Sequence, residues 1–260
     1  MEILHAIILS VVEGITEFLP VSSTGHMIIT SHLMHIPQTE FLKTFEIAIQ
    51  LGAIMAVFSR YWRVFLLDWE VVTKLTAAFV PTALVGLVLY KMIKKVLMGN
   101  AWVVVWALLV GGVLIILFEH FYKEKRATVN DLKHITYTQA MLIGLCQALA
   151  VVPGVSRSAA TILGGLMLGV GRATIVEFSF LLAVPTMLAA TVLDIYKSTA
   201  VLKSSDWGIL GIGFMVAWLV AWITVRFFIK YVQQHNFTAF GVYRIAIALV
   251  LMVLFKKFSL

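Results

Sequence analysis

The sequence predicts an all-α, polytopic membrane protein, and three observations support that fold class. Hydrophobic residues make up 61% of the 260 residues and charged residues only 13%, whereas soluble domains carry about 25% charged residues. The mean hydropathy is +0.99. The apolar segments are long and continuous, unlike the alternating segments of about ten residues that build a membrane β-barrel.

Six apolar segments have the composition of transmembrane helices, which need about 20 residues to cross the hydrocarbon core. Each contains at most one charged residue, and tryptophan or tyrosine stands near several ends, as is usual at membrane interfaces. The first segment is short, so we expect it to extend toward Phe41 and Tyr61. The segments are residues 44–59, 71–90, 101–118, 174–193, 207–225 and 237–255.

Two further apolar regions, residues 3–34 and 138–168, are interrupted midway by proline, glycine and a cluster of hydroxyls. Each is too long for one span and too broken for two. Irregular backbone at membrane depth is tolerated only where it is buried in protein or lines a cavity. We therefore predict two re-entrant helical hairpins, with tips at residues 20–25 and 153–158.

The order of these segments is hairpin, three spans, hairpin, three spans. An odd number of spans in each half places the halves in opposite orientations, as in inverted-topology repeats. We predict one membrane domain, residues 1–260, with repeat halves of about 1–122 and 135–260. Aligning Ser22 with Ser156 places Glu13 on Gln147, but few identities remain, so the repeat depends on segment order.

The net charge of +7 arises mostly from basic residues in loops and near segment ends. Such residues set membrane topology and contact lipid headgroups, so we expect no nucleic acid partner. The charge count slightly favours the basic loop at residues 120–136 as cytoplasmic. Cys146 is the only cysteine, which excludes an intrachain disulfide and a cysteine metal cluster.

A first polar island runs from Glu13 to His26, where ionisable groups at membrane depth indicate a functional site. Glu13 and Glu17 are four residues apart and share one helix face. Two buried carboxylates need a proton or a cation, and Mg²⁺ binds one or two carboxylates together with substrate phosphate oxygens. Alternatively, the pair lines a wet cavity or carries protons.

Three hydroxyls and a histidine follow Pro20, which ends that helix. Ser22, Ser23 and Thr24 could cap the next helix, or one of them could be a nucleophile. His26 lies three residues after Ser23 and could contact its hydroxyl as a base or proton donor. The alternative for His26 is a structural hydrogen bond.

A second polar island occupies residues 153–161. A guanidinium matches phosphate oxygens in a bidentate fork, and a helix N-terminus favours the same anion. The sequence therefore favours phosphate binding here, and the alternative is an ion pair with Glu13 or Glu17. The residues concerned are Arg157, its neighbours Ser156 and Ser158, and Thr161 one turn on.

The two islands resemble the motifs of the undecaprenyl-diphosphate phosphatase family, also called the bacitracin-resistance family. Residues 17–26, preceded by Glu13, match the first motif, and residues 153–161 match the second throughout. The stretches at 50–53 and 178–185 are also similar, so the resemblance covers essentially the whole chain.

The resemblance implies hydrolysis of undecaprenyl diphosphate to the monophosphate and inorganic phosphate, with a divalent cation, Mg²⁺ or Ca²⁺, as cofactor. It implies a multi-pass protein of the bacterial inner membrane whose active site faces the periplasm. The reaction recycles the lipid carrier for peptidoglycan synthesis and confers bacitracin resistance. The family fold has six spans and two re-entrant hairpins in an inverted repeat.

The resemblance also assigns roles to the islands. Glu13 and Glu17 would bind the metal or act as base, and Ser23 with His26 would be nucleophile and partner or position the substrate. Whether Ser23 forms a phosphoenzyme or water attacks directly stays open. The phosphates would be held by Arg157, Ser156, Ser158, Thr161 and Ser22.

The alternative function class is transport, because inverted repeats and broken helices are common in secondary transporters. Glu13 or Glu17 would then carry protons, and a lipid flippase fits the same features. The expected partners are the polyprenyl diphosphate and membrane lipids. A homodimer through an exposed face of small residues is a further hypothesis.

Overall fold

The computed structural model describes residues 1–92, 101–122, 129–197 and 206–258, which are almost entirely helical. Two short 3₁₀ helices, Leu132–His134 and Leu149–Val151, flank the sixth α-helix. Within the described ranges the α-helices are α1 Ile3–Thr16, α2 Ser23–Leu33, α3 Glu40–Leu67, α4 Trp69–Met92, α5 Ala101–Phe121, α6 Tyr137–Ala148, α7 Arg157–Met167, α8 Arg172–Lys197, α9 Asp206–Val232 and α10 Thr238–Phe258.

The six predicted spans are confirmed, since six helices within the described ranges are long and apolar enough to cross a membrane. The first is longer than predicted: α3 has 28 residues and continues past a kink at Tyr61 to Leu67. The six spans are Glu40–Leu67, Trp69–Leu89, Trp102–Phe121, Arg172–Leu193, Asp206–Val232 and Thr238–Phe255.

The two broken regions form pairs of short helices, α1 with α2 and α6 with α7, and the members of each pair pack together. The breaks lie at residues 17–22 and 149–156, so each second helix begins inside the predicted tip. That both pairs are re-entrant stays a prediction, and so does the inverted repeat. Residues 123–128 of the basic loop lie outside the described residues.

The short helices are held by long helices from the other half of the chain: α1 packs on α9, and α6 packs on α4. Glycine allows the closest approach, because a side chain on Gly144 of α6 would overlap the carbonyl of Ala78 in α4. Phe18, in the first break, is fully buried and packs edge-on against Phe180 of α8. This packing places the first break inside the protein.

Candidate active site

Glu13 and Glu17 lie one helical turn apart at the end of α1, as the spacing predicts. The backbone N–H of Glu17 donates to the Glu13 carbonyl (2.9 Å), which keeps both side chains on one helix face. Both residues are buried, with 4% and 8% of their surface exposed. Burial, together with the nearby Glu17 carboxylate, raises the pKa of Glu13. Glu13 lies on α1, outside the six long helices. This arrangement favours a shared proton or a bound cation.

The turn between α1 and α2 directs Ser23 back toward Glu17. Ser22 adopts a left-handed backbone conformation (φ 71°), which is uncommon for a residue other than glycine and indicates local strain. Helix α2 then begins at Ser23, whose hydroxyl donates to Oε2 of Glu17 at 2.6 Å. The Ser23 proton is therefore already directed at a carboxylate.

Arg157 reaches the same carboxylate from the second pair of short helices. Its Nη2 donates to Oε1 of Glu17 at 3.3 Å, and its Nη1 donates to the Ser179 carbonyl at 3.0 Å. Its Nε is buried and has no hydrogen-bond partner among the described residues. The ion pair considered as an alternative is formed with Glu17, and the Nε–H of Arg157 is left without a partner.

The hydroxyls of the second island bond to the protein and connect the two breaks. Ser156 caps α7 and lies 3.0 Å from the Ser158 hydroxyl, which donates to the Leu19 carbonyl at 2.8 Å. Thr161 Oγ1 lies 2.6 Å from the Ser179 hydroxyl. Their predicted contact with phosphate, like that of Ser22, stays a prediction. In the structure Ser158 joins the two breaks, and Thr161 joins α7 to α8.

His26 forms structural hydrogen bonds, which the sequence left open as the alternative to a contact with Ser23. Its Nδ1 donates to the Ser22 carbonyl at 2.8 Å, because a carbonyl can only accept. Nε2 of the neutral ring then accepts from the Tyr243 hydroxyl, also at 2.8 Å. Both ring nitrogens are thus occupied, and the expected contact with Ser23 is not formed. A role for His26 in proton transfer stays a prediction.

Sequence reasoning missed Arg244 of α10, which is 1% exposed. Its guanidinium donates to the carbonyls of Pro20 (3.4 Å), Gly154 (3.0 Å), Ala107 (2.9 Å) and Leu108 (3.4 Å). It thereby ties both helix breaks to α5, and no ion pair with a described carboxylate is formed. The available signal was a single arginine in the last apolar segment, since a charge at membrane depth is costly.

The carboxylates suit a hard divalent cation. The described part of the chain contains no group of three or more His, Cys, Asp or Glu placed to hold a metal ion. Glu13 and Glu17 nevertheless offer carboxylate oxygens side by side, and Ser23 adds a hydroxyl. Mg²⁺ commonly uses one or two carboxylates and takes its other ligands from water and substrate phosphate. The residues therefore fit Mg²⁺ or Ca²⁺.

Together, the fold and the site define a polytopic helical membrane protein with a buried cluster of carboxylates, a hydroxyl and a guanidinium. Residues 6–250 match the family described as bacitracin resistance protein BacA. The chain belongs to this family, as the motifs predict.

Relatives similar over nearly their full length carry the name undecaprenyl-diphosphatase. The protein from Sulfurihydrogenibium sp. (strain YO3AOP1) is 48% identical over 249 residues, which cover 96% of this chain and 98% of that protein. The protein from Aquifex aeolicus is 46% identical over 246 residues, covering 95% and 96%. The protein from Methanococcus aeolicus is 44% identical over 257 residues, covering 99% and 100%.

Proposed function

We propose that this chain is an undecaprenyl-diphosphatase, which hydrolyses undecaprenyl diphosphate to the monophosphate and inorganic phosphate. Membership of the BacA family and full-length similarity to proteins of that name support the proposal. The structural observation that supports it most is that the Glu17 carboxylate accepts two hydrogen bonds. One comes from Ser23 on its own pair of short helices and the other from Arg157 on the second pair.

Phosphoryl transfer depends on positioning and charge neutralisation, and the site offers both. An attacking oxygen forms a new bond to the terminal phosphorus, and the anhydride P–O bond breaks toward the lipid monophosphate. Glu17 accepts the proton of the attacking oxygen, since it already accepts the hydrogen bond of Ser23. Arg157 donates its unpartnered Nε–H to the phosphoryl oxygens.

The attacking oxygen is either the Ser23 hydroxyl or a water held beside it. In the first case a phosphoserine forms, and water then cleaves its P–O bond, releases inorganic phosphate and restores the hydroxyl. In the second case phosphate leaves in one step. Replacement of Ser23 by alanine separates the two, because only the first requires the hydroxyl oxygen for bond formation.

The cofactor we propose is a divalent cation, Mg²⁺ or Ca²⁺, held by the carboxylates of Glu13 and Glu17. When bound, such a cation neutralises charge on the substrate phosphates. The proposal is supported by the proximity of two buried carboxylates on one helix face.

The proposed setting is the bacterial inner membrane, with the site facing the periplasm. Hydrolysis there would return the lipid carrier to peptidoglycan synthesis, and the BacA family description agrees with a role in bacitracin resistance. Six apolar helices support a multi-pass protein. The homodimer stays a prediction.

The test is phosphate release from undecaprenyl diphosphate by detergent-purified protein, with Mg²⁺ or Ca²⁺ and then with excess EDTA. We expect release that chelation stops and that added cation restores. Absence of release from monodisperse protein under every cation would refute the proposed reaction and direct attention to proton-coupled lipid translocation in liposomes.

A further inference from the structure

Two neighbouring residues of α10, Tyr243 and Arg244, contact the turn that joins α1 to α2. Arg244 donates to the carbonyl of Pro20, at the beginning of the turn. Tyr243 reaches the end of the turn through His26, because the Tyr243 hydroxyl donates to Nε2 of that ring at 2.8 Å. The two rings are nearly parallel, at 8°, and their centroids are 5.5 Å apart. Helix α10 therefore holds the turn at both ends.

The backbone between these two contacts is strained at Ser22. Its φ of 71° is one that serine rarely adopts, and such a conformation persists only where surrounding contacts over-determine it. The Nδ1–H of His26 supplies one such contact by donating to the Ser22 carbonyl at 2.8 Å. The next residue, Ser23, begins α2 and directs its hydroxyl to Oε2 of Glu17 at 2.6 Å. The place of the Ser23 oxygen therefore depends on the bond between His26 and the turn.

That bond requires one particular tautomer of the His26 ring. In a neutral imidazole only one nitrogen carries hydrogen, and a carbonyl accepts only from that nitrogen. Burial lowers the pKa of His26, as does the nearby guanidinium of Arg244, and together they outweigh the opposing effect of the bond to Ser22. The ring is therefore neutral, and the partner of one nitrogen decides whether the other is protonated. A hydroxyl that donates to Nε2 selects the tautomer with hydrogen on Nδ1.

We propose that Tyr243 is a positioning residue of the active site, which holds His26 in this tautomer and so fixes the place of Ser23. The inference rests on the proposed function and adds a residue that lies outside both polar islands of the sequence. It holds for either attacking oxygen, because the same turn places the Ser23 hydroxyl and any water beside it. Since Tyr243 acts through His26, its hydroxyl should affect the rate of turnover more than the binding of the lipid.

The variant Tyr243→Phe tests the inference, because it removes the hydroxyl and keeps the ring. Tyr137→Phe is the matched control: Tyr137 and Tyr243 are 50% and 43% exposed, and the Tyr137 hydroxyl lies 2.9 Å from that of Thr73 on another helix. In phosphate release from undecaprenyl diphosphate, we expect Tyr243→Phe to lower kcat about tenfold, the factor that the loss of one hydrogen bond can give, and to change KM by less than about twofold. Tyr137→Phe should match wild type. Unchanged kcat in Tyr243→Phe would overturn the inference.

Replacement of Ser22 by glycine separates positioning from a general loss of stability. Glycine adopts a positive φ without strain, so the turn should need less support in that variant. We expect Tyr243→Phe to lower kcat about tenfold in the wild-type background and less than about twofold in the Ser22→Gly background, each compared with its own parent. Equal losses in the two backgrounds would overturn the inference.

The tautomer of His26 supplies a readout that does not depend on activity. In ¹⁵N NMR spectra of wild type, with His26→Gln used to assign the ring signals, Nδ1 should be protonated and Nε2 should not. Tyr243→Phe should shift the Nε2 signal and reveal the second tautomer, and unchanged signals would overturn the inference. If wild type released no phosphate, the proposed function would fail, whereas these spectra would still show whether Tyr243 holds His26.

Discussion

The two polar islands of the sequence meet at one carboxylate, that of Glu17. Its oxygens accept separately from Ser23 and from Arg157, residues that lie on different pairs of short helices. Glu13 stands one turn away and is equally shielded from solvent. Glu17 is therefore the side chain whose charge matters to both proposed tasks, accepting a proton and holding the site together.

Replacing Glu17 by glutamine tests the first task. Glutamine keeps the shape and can still accept from Arg157, so we expect a folded, monodisperse protein. Because the proton acceptor is lost, phosphate release should fall about 100-fold or more. Glu40→Gln is the matched control, since Glu40 forms an exposed pair with Lys43 and should tolerate the change. Turnover near that of wild type in Glu17→Gln would exclude Glu17 as the base.

Arg244 provides a second prediction at this scale. Lysine preserves the charge at this position but has only three donors on one nitrogen, so it cannot reach four carbonyls. We expect Arg244→Lys to lower kcat, because the two helix breaks lose shared carbonyl contacts and are misplaced. Arg226→Lys, at an exposed arginine of α9, is the control. Unchanged kcat in Arg244→Lys would show that Arg244 does not position the site.

These residues also show what sequence can and cannot predict. The four-residue spacing of Glu13 and Glu17 fixes their common helix face, so that feature was predictable. The bond between Arg244 and Pro20 joins residues 224 apart, and no local pattern specifies it. The spacing of His26 and Ser23 left a contact with Ser23 and a structural hydrogen bond both open, and it could not predict the distant partner Tyr243 on α10.

At the scale of elements, the six spans were predictable because their apolar composition alone distinguishes them. The end of α3 was not. The sequence extended the first span only toward Tyr61, whereas the helix continues beyond it. The guanidinium groups of Arg60 and Arg63 lie over the rings of Tyr61 and Trp62. At a membrane interface, long basic side chains place their aliphatic stems along apolar surface and keep their charged ends in water. The helix therefore continues to Leu67.

The second helix break depends on the backbone of Gly154. Its φ is +90°, and a side chain there would meet Val104 of α5 at 2.8 Å. We expect Gly154→Ala to destabilise the protein by about 1–3 kcal/mol and to reduce phosphate release, because the tip must move. The measurements are thermal unfolding in detergent and turnover.

Gly86→Ala in α4 is the control for that variant. A side chain at Gly86 meets nothing within 4 Å, so alanine should raise stability by about 0.5–1 kcal/mol through helix propensity. If Gly154→Ala were as stable and active as Gly86→Ala, the break would not need its left-handed conformation.

At the scale of the whole molecule, the site exists only when both halves of the chain are folded together. Glu17 and Ser23 come from the first half, and Arg157 from the second. The helix packing also joins the two halves, because α1 packs on α9 and α6 packs on α4. Two polar islands that each look incomplete in the sequence thus form one site, which is why neither motif reveals the chemistry alone.

The most direct test of this assembled site is phosphate release from undecaprenyl diphosphate by the Arg157→Met variant. Arg226→Met, which removes an exposed guanidinium, is the control. Both purified proteins should be monodisperse and assayed with the same cation. We predict that Arg157→Met loses about 100- to 1,000-fold in turnover, as removal of a preorganised donor to the transition state does, while Arg226→Met matches wild type. Wild-type turnover in Arg157→Met would contradict the assignment of this cluster as the phosphatase site.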